Sequence, residues 1–337
     1  VTQQVHKTDE DFMRQALALG RFGLGMTAPN PAVGCVLVKD GQLIGCGVTQ
    51  KSGRPHAEAM ALAEAGDAAQ GATAYVTLEP CAHTGQTPPC AASLKEAGVA
   101  RVVYAIDDPD PRVNGGGAAM LREAGISVES GLLADEARRD QLGFLLSKTE
   151  NRPMVTLKLA LSANGFMRTP QGETPWITGP LARQTGHLLR AAHDVIITGS
   201  GTVAQDDPSL DCRLPGLADA SPVPVVMSRS GALPKNCKLA QRDNVIISEG
   251  APDTVLADLA ARGMTRAMLE CGPKLAAAFL AADLIDALAI FTAPHEVAMT
   301  GESDISQMQI DLTRFVKTHE AMLGPDHYGH YCRERKN

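Results

Sequence analysis

His56-Ala57-Glu58, then Pro80-Cys81 and, after eight intervening residues, Cys90 decide how this chain is read. One imidazole and two thiolates suit zinc, filling three corners of a tetrahedron and leaving the fourth for water. Zinc held in that way makes its water a usable nucleophile near neutral pH. Glu58 lies two residues beyond His56 and need not bind metal. It is placed to shuttle a proton between that water and a ring nitrogen. The competing reading is a closed structural zinc site with His83 as fourth ligand, although such sites usually have shorter Cys spacings. A Cys81–Cys90 disulfide is disfavoured. The eight cysteines are scattered through 337 residues, Val1 to Asp11 is polar, and no long apolar run follows; a reducing cytoplasm is expected.

Length favours about two domains at roughly 150 residues each. Hydrophobic residues make up 44% of the chain and aromatics only 4%, so alanine and leucine must fill much of the interior. The formal net charge of −7 argues against a general nucleic-acid surface, and no segment suggests a membrane span. The expected partner is a small molecule, and an anionic one must be met by local arginines.

Residues 9 to 20 carry Phe12, Met13, Ala16, Leu17 and Leu19 at helical spacing, with Gly20 as a stop. Asp40-Gly41 between Val33–Val38 and Leu43–Val48 predicts a β-hairpin. Helix–strand alternation follows: a helix from His56 to Ala65, a strand at Tyr75–Leu78, a helix at Ala91–Ala97 and a strand at Arg101–Ile106. Gly116–Ala124, Ser127–Glu129 and Ala134–Ser147 complete a helix–strand–helix series, implying a largely parallel sheet covered by helices. Helix starts at both His56 and Cys81 would aim two positive dipole ends at one metal. The polar, proline-ended stretch 148–152 reads as a linker between domains at 1–147 and 153–337. The second domain opens with a strand at Met154–Leu161, then a helix capped by Thr178 with Pro180 in its first turn. Further strands are expected at Val195–Thr198, Val223–Met227, Asn244–Ile247, Ala267–Leu269 and Leu288–Thr292, with a helix at Lys274–Ala282. Arg183, His187 and Arg190 share one helical face, which could clamp a phosphate or be a solvated basic surface. Gly272-Pro273 before a helix suits an anion at its amino end, while Trp176 reads more readily as a core residue. No Gly-x-Gly-x-x-Gly run marks a standard Rossmann domain here.

His-x-Glu followed by Pro-Cys is a signature of zinc deaminases that act on nucleobase-like rings. The first half resembles the deaminase domain of bacterial bifunctional riboflavin-biosynthesis proteins. The resemblance rests on Pro29-Asn30-Pro31-Ala32-Val33-Gly34, His56-Ala57-Glu58-Ala59, the run from Pro80 to Cys90, and the run from Asp108 to Gly117. The second half resembles the same family's reductase domain through Lys158-Leu159-Ala160-Leu161-Ser162, Trp176-Ile177-Thr178, Gly199-Ser200-Gly201-Thr202-Val203, Asp206-Asp207-Pro208-Ser209-Leu210 and Glu270-Cys271-Gly272-Pro273. The family implies an α/β chain with a cytidine-deaminase-like three-layer αβα domain and a dihydrofolate-reductase-like domain. It implies deamination of a phosphoribosylamino-diaminopyrimidinone, then NADPH-dependent reduction of its ribosyl group to ribityl, and a homo-oligomer.

By that resemblance His56, Cys81 and Cys90 hold zinc and Glu58 transfers the proton. Asn30, Thr174, Arg190, Leu210, Arg213 and Glu270 match substrate positions. Ala160, Trp176, Thr202, Asp206, Ser228 and the stretch Gly272, Pro273, Lys274, Leu275, Ala276, Ala277 and Ala278 match nicotinamide-cofactor positions. The chain has Asn164 where the family commonly has aspartate, Cys271 where it has glycine or alanine, and Ser228 near a strand end that often carries aspartate. Three other readings stay open: a deaminase whose second domain reduces weakly or not at all, a nucleic-acid-editing deaminase, and a nonenzymatic zinc-stabilised interaction protein.

Overall fold

The structure, a computed structural model, describes residues 8–83, 88–110, 113–170, 176–298, 308 and 310–335. It divides into two units, Val1–Glu150 and Asn151–Asn337.

In the first unit, helix α1 (Asp9–Arg21) starts at a capping box in which Thr8 and Asp11 bond each other's backbone, and it buries Phe12, Met13, Ala16 and Leu17. Strands β1 (Gly34–Lys39) and β2 (Gln42–Val48) form the expected hairpin about Asp40-Gly41. They are followed by α2 (Ala57–Ala65), β3 (Thr73–Val76), α3 (Cys90–Glu96), β4 (Arg101–Tyr104), α4 (Gly116–Glu123), β5 (Ser127–Ser130) and α5 (Ala134–Thr149). The sheet order is β2-β1-β3-β4-β5, with β1 antiparallel to both neighbours and β3, β4 and β5 parallel. Side-chain alternation puts α1 and α2 on opposite faces. Gly34 lies against Ala16, whereas Gly47, one residue from the Val48 that pairs with Gly34, lies against Ala57. A Cβ on Gly47 would come within 2.1 Å of the Ala57 carbonyl oxygen, so only glycine lets α2 settle this close to the sheet.

Two expectations change here. Cys81 lies in irregular backbone, and the second helix starts at Cys90, because extended Pro89 is its N-cap and holds the preceding chain out of the helix. Lys148 and Thr149, expected in a linker, are the last residues of α5; the Thr149 hydroxyl bonds back to the Leu145 carbonyl, and no breaker comes before Asn151 and Pro153.

The second unit contains β6 (Met154–Leu161), α6 (Pro180–Ala191), β7 (Val195–Gly199), α7 (Ser200–Asp206), β8 (Val223–Met227), β9 (Ile246–Ser248), α8 (Pro252–Ala261), β10 (Arg266–Leu269), α9 (Pro273–Ala281), β11 (Ala287–Thr292), β12 (Phe315–Leu323) and β13 (Asp326–Arg333). Its sheet order is β12-β13-β11-β6-β10-β7-β8-β9, parallel from β11 to β9. The antiparallel β12–β13 hairpin was not expected from the sequence. Its first strand is exposed and polar over Lys317-Thr318-His319-Glu320, so it lacks the apolar alternation of a half-buried strand. Gly179, not Thr178, is the N-cap of α6, and its N–H is taken by Asp326 Oδ2 at 2.7 Å from that hairpin. Asp286, almost fully buried, accepts two bonds from Arg152 and one from the Val155 amide at 2.7–2.9 Å, anchoring the start of β6. No described helix is long and apolar enough to cross a membrane.

Candidate active sites

The first site forms where β3 and β4 run out at their carboxyl ends, the usual place for a ligand in a parallel arrangement. His56 is the N-cap of α2, Cys81 follows the β3 segment and Cys90 opens α3. His56 Nδ1 lies 3.2 Å from Cys90 Sγ and 3.7 Å from Cys81 Sγ, and all three donor atoms fall within 4.8 Å of one another. Zinc bonds of ordinary length in a tetrahedron would separate such donors by about 3.5 Å, so the set fits that ion. Among the described residues no fourth His, Cys, Asp or Glu joins the cluster. His83 lines the same cavity without ligating geometry, which disfavours the closed structural site.

Cys90 donates to Cys81 through its thiol and its amide, and the His56 ring adds its own contact; against burial these bring the Cys81 thiol down to about 4. The same contacts push Cys90 up and raise His56. Glu58 is 4% exposed, and burial first, with the Cys81 charge second, pushes its carboxyl up to about 7. The cavity is small, ≈ 170 Å³, and Asn30, Glu58, His83, Asp108, Asp110 and Lys148 are in its wall. The Asn30 side chain donates to the Gly53 carbonyl at 3.0 Å, which holds it against the loop before His56. Asp108 is pushed up to about 6, mainly by burial. The sequence reading assigned nothing to Glu79, Asp108 or Asp110 individually; their adjacency to Pro80-Cys81 and to the Asp-Pro-Asp-Pro run was the available signal.

The second site is a cleft of ≈ 1640 Å³ at the carboxyl ends of β6, β7, β8, β9 and β10. At its floor Arg190 holds Glu270 through Nε at 3.2 Å and Nη2 at 3.0 Å, while Nη1 donates to the Asp211 carbonyl at 3.0 Å. Lys158 Nζ stands 3.4 Å from the same carboxylate. Burial opposes the charge on Glu270, but Lys158 and Arg190 outweigh it and bring the carboxyl down to about 2. Arg190 is therefore engaged by Glu270 and by the Asp211 carbonyl in this structure. Arg183 donates to the Thr178 carbonyl at 2.7 Å and stacks 5.1 Å from the Trp176 ring. His187 Nδ1 accepts from the Arg213 amide at 3.3 Å; burial, then Arg190 and Arg213, lower its basicity. Trp176 is 53% exposed at the cleft, so the core reading of this residue is overturned.

Ala160, Thr202, Asp206, Ser228, Arg213, Gly272, Pro273, Lys274, Leu275 and Ala278 all reach the cleft. Gly272 and Pro273 are the N-cap and first residue of α9, which starts one residue earlier than expected, and the Gly272 amide donates to Thr202 Oγ1 at 3.3 Å. The Ser228 hydroxyl donates to the Ala232 carbonyl at 2.8 Å, closing the turn after β8. Asp206 is raised by burial. Leu210 has φ +54° and a side chain buried in the core, so it can offer a ligand only its backbone. Ala276 and Ala277 do not reach the cleft: the helical period that turns Lys274, Leu275 and Ala278 outward buries Ala276 in the core. Thr174 lies outside the described residues. Asn164 does not line the cleft; its amide group donates to the Val297 carbonyl at 2.9 Å and its oxygen accepts from the Val297 amide at 3.1 Å. A carboxylate could not make the first of these bonds. Lys158, quoted only for resemblance, received no role from the sequence.

Residues 6–106 match the model of the cytidine and deoxycytidylate deaminase zinc-binding region, and residues 153–322 that of the RibD C-terminal domain. The chain is 40% identical over 316 residues to the riboflavin biosynthesis protein RibD of Haemophilus influenzae, covering 84% of this chain and 85% of that one. It is 39% identical to RibD of Escherichia coli, covering 85% and 88%. Among solved structures, Acinetobacter baumannii RibD is similar at a TM-score of 0.86 and 39% identity over 97% of this chain and 99% of that one. A diaminohydroxyphosphoribosylaminopyrimidine deaminase/5-amino-6-(5-phosphoribosylamino)uracil reductase from Thermotoga maritima is similar at 0.86 and 32%, over 96% and 98%.

Proposed function

This chain belongs to the RibD family of riboflavin biosynthesis proteins, an enzyme with a deaminase and a reductase in one polypeptide, and from that premise we propose its substrates and the work of each residue. The first unit hydrolyses the ring amino group of 2,5-diamino-6-(5-phosphoribosylamino)pyrimidin-4-one. The second reduces the ribosyl group of the product to ribityl with NADPH. The name of the Thermotoga maritima relative supports this pair of steps.

His56, Cys81 and Cys90 would hold zinc, which when bound supplies an activated water. Glu58 would accept a proton from the attacking water and return it to the leaving amino group, giving a ring carbonyl and ammonia. Its carboxyl near 7 suits a group that must both accept and donate at neutral pH. Asn30, at the cavity wall, would orient the ring.

In the second unit NADPH, when bound, would supply the hydride. The amino end of α9, at Gly272-Pro273 with Lys274, would face its phosphates. Ala160, Thr202, Asp206 and Ser228 would line its path, and Trp176 would cover it. Arg213, the Leu210 backbone and Thr174 are assigned to the phosphorylated substrate. Glu270 serves as an ionised anchor that holds Lys158 and Arg190 at the floor, with Lys158 the ammonium placed to protonate the opening sugar.

The observation that carries this reading is a buried carboxyl beside three convergent zinc donors. Product analysis by mass, with and without NADPH, tests it. The deaminated ribosyl compound is expected without NADPH and the ribityl compound only with it. Unchanged substrate from the zinc-loaded protein overturns the reading.

A further inference from the structure

Glu79 sits between the end of β3 and the Pro80-Cys81 step and is 3% exposed. Its main chain extends the pairing of the parallel strands, the Glu79 amide donating to the Ile106 carbonyl at 2.9 Å. Its side chain turns to the far loop and is met by four main-chain N–H groups. Oε2 accepts from Gly115 at 2.9 Å and from Asp108 at 3.5 Å; Oε1 accepts from Gly117 and Ala118, each at 3.1 Å.

These donors come from two structures that need an anchor. Gly115 is the N-cap of α4 and makes no side-chain capping bond, so the first amides of that helix would otherwise lack partners. Glu79 supplies the cap from 36 to 39 residues away in sequence, and a carboxylate there is favoured by the helix dipole. The Asp108 amide belongs to the loop whose Asp108 and Asp110 side chains form part of the cavity wall. Asp108 in turn accepts from the Asp110 amide at 2.9 Å, which ties the two wall residues to each other. The other side of the contact is equally tight. A Cβ on Gly117 would fall 1.8 Å from the Pro80 carbonyl oxygen, so α4 rests directly on the peptide that leads into Cys81.

We propose that Glu79 is a positioning residue of the deaminase site: one buried carboxylate sets the Asp108–Asp110 wall and the Cys81 ligand relative to each other. This rests on the reading of His56, Cys81 and Cys90 as zinc ligands. Displacement of either part by an ångström is enough to cost about 100-fold in rate.

Glu79→Gln tests it in the full-length protein. The side-chain amide keeps the shape but turns an NH₂ toward one of the two N–H pairs, setting donors against donors. At saturating zinc, kcat/KM for deamination is expected to fall by about 100-fold, with reduction of pre-deaminated substrate unchanged. In the cobalt-substituted protein the thiolate-to-metal absorption should shift, because Cys81 has moved. A variant with a lower unfolding midpoint but wild-type kcat/KM and an unshifted cobalt spectrum overturns the proposal, since a purely structural role moves only the first. If Glu79→Gln does not fold, Glu79→Asp, which keeps the charge but shortens its reach to the α4 amides, decides the matter by the same two readouts. A wild-type protein that binds zinc and deaminates while both variants match it sinks the role of Glu79 alone. A wild-type protein that does neither sinks the reading of the site.

Discussion

Glu58 and Glu270 are the same side chain in two settings, one buried and one half-buried, with opposite outcomes. Glu58 lies in a cavity of ≈ 170 Å³ where burial and the Cys81 charge push it up to about 7. Glu270 lies on the floor of a ≈ 1640 Å³ cleft where Lys158 and Arg190 overcome burial and bring it down to about 2. Desolvation favours the neutral acid in both; two cations reverse the balance in one. A group near neutrality can pass protons, whereas a group locked in its charged form can hold cations in place. On the proposed reading, the first unit uses its acid as a reagent and the second as a fixed counter-ion.

The contrast exposes each acid to its own test. Glu58→Gln should lower deamination by about 10²–10⁴ while zinc content and NADPH oxidation stay unchanged. Deamination near the wild-type rate would remove Glu58 from the proton path. In the second unit Arg190→Ala should lower kcat/KM for reduction by roughly 10- to 100-fold, the scale of lost charge-assisted bonds. NADPH affinity should change little, and deamination should be untouched. The same variant leaves Glu270 with Lys158 and the burial term. Its carboxyl must then titrate at higher pH than in the wild type, so the acid limb of the reductase pH profile should move upward. An unmoved acid limb would mean that Arg190 does not keep Glu270 ionised.

The smallest effect concerns Thr198, fully buried near the end of β7 with an Oγ1 that has no hydrogen-bond partner among the described residues. It has no cation or amide to satisfy it, unlike Glu270. Thr198→Val keeps the shape and removes the unsatisfied hydroxyl, so the second unit should gain about 1 kcal/mol. A urea midpoint that falls instead would show that the hydroxyl finds a partner.

Much of the architecture was legible because the signals are local. Asp40-Gly41 marked its hairpin, Pro180 marked the first turn of its helix, Gly272-Pro273 marked the start of α9 to within a residue, and Pro89 stands where α3 begins. The α1 stripe of Phe12, Met13, Ala16 and Leu17 is buried as its spacing demands. The failures were of another kind. Lys148 and Thr149 looked like linker by composition, but composition does not override an unbroken helical backbone. The β12–β13 hairpin was missed because an exposed strand needs no apolar alternation.

At the sites the division is similar. Residue type and spacing alone pointed to His56, Cys81 and Cys90 as donors and to Glu58 as an acid free of metal, since ligand preference belongs to the side chain. Protonation and pairing do not. Arg190 and Glu270 are 80 residues apart, and Glu79 meets its amides across nearly 40. Local rules reach a few residues along the chain, but burial and charge partners are set by whatever the fold brings alongside. The chain's order therefore determined which chemistries were possible. Packing decided that one glutamate is buried with its carboxyl near neutrality, one holds two cations, and one ties a helix to the step before a cysteine.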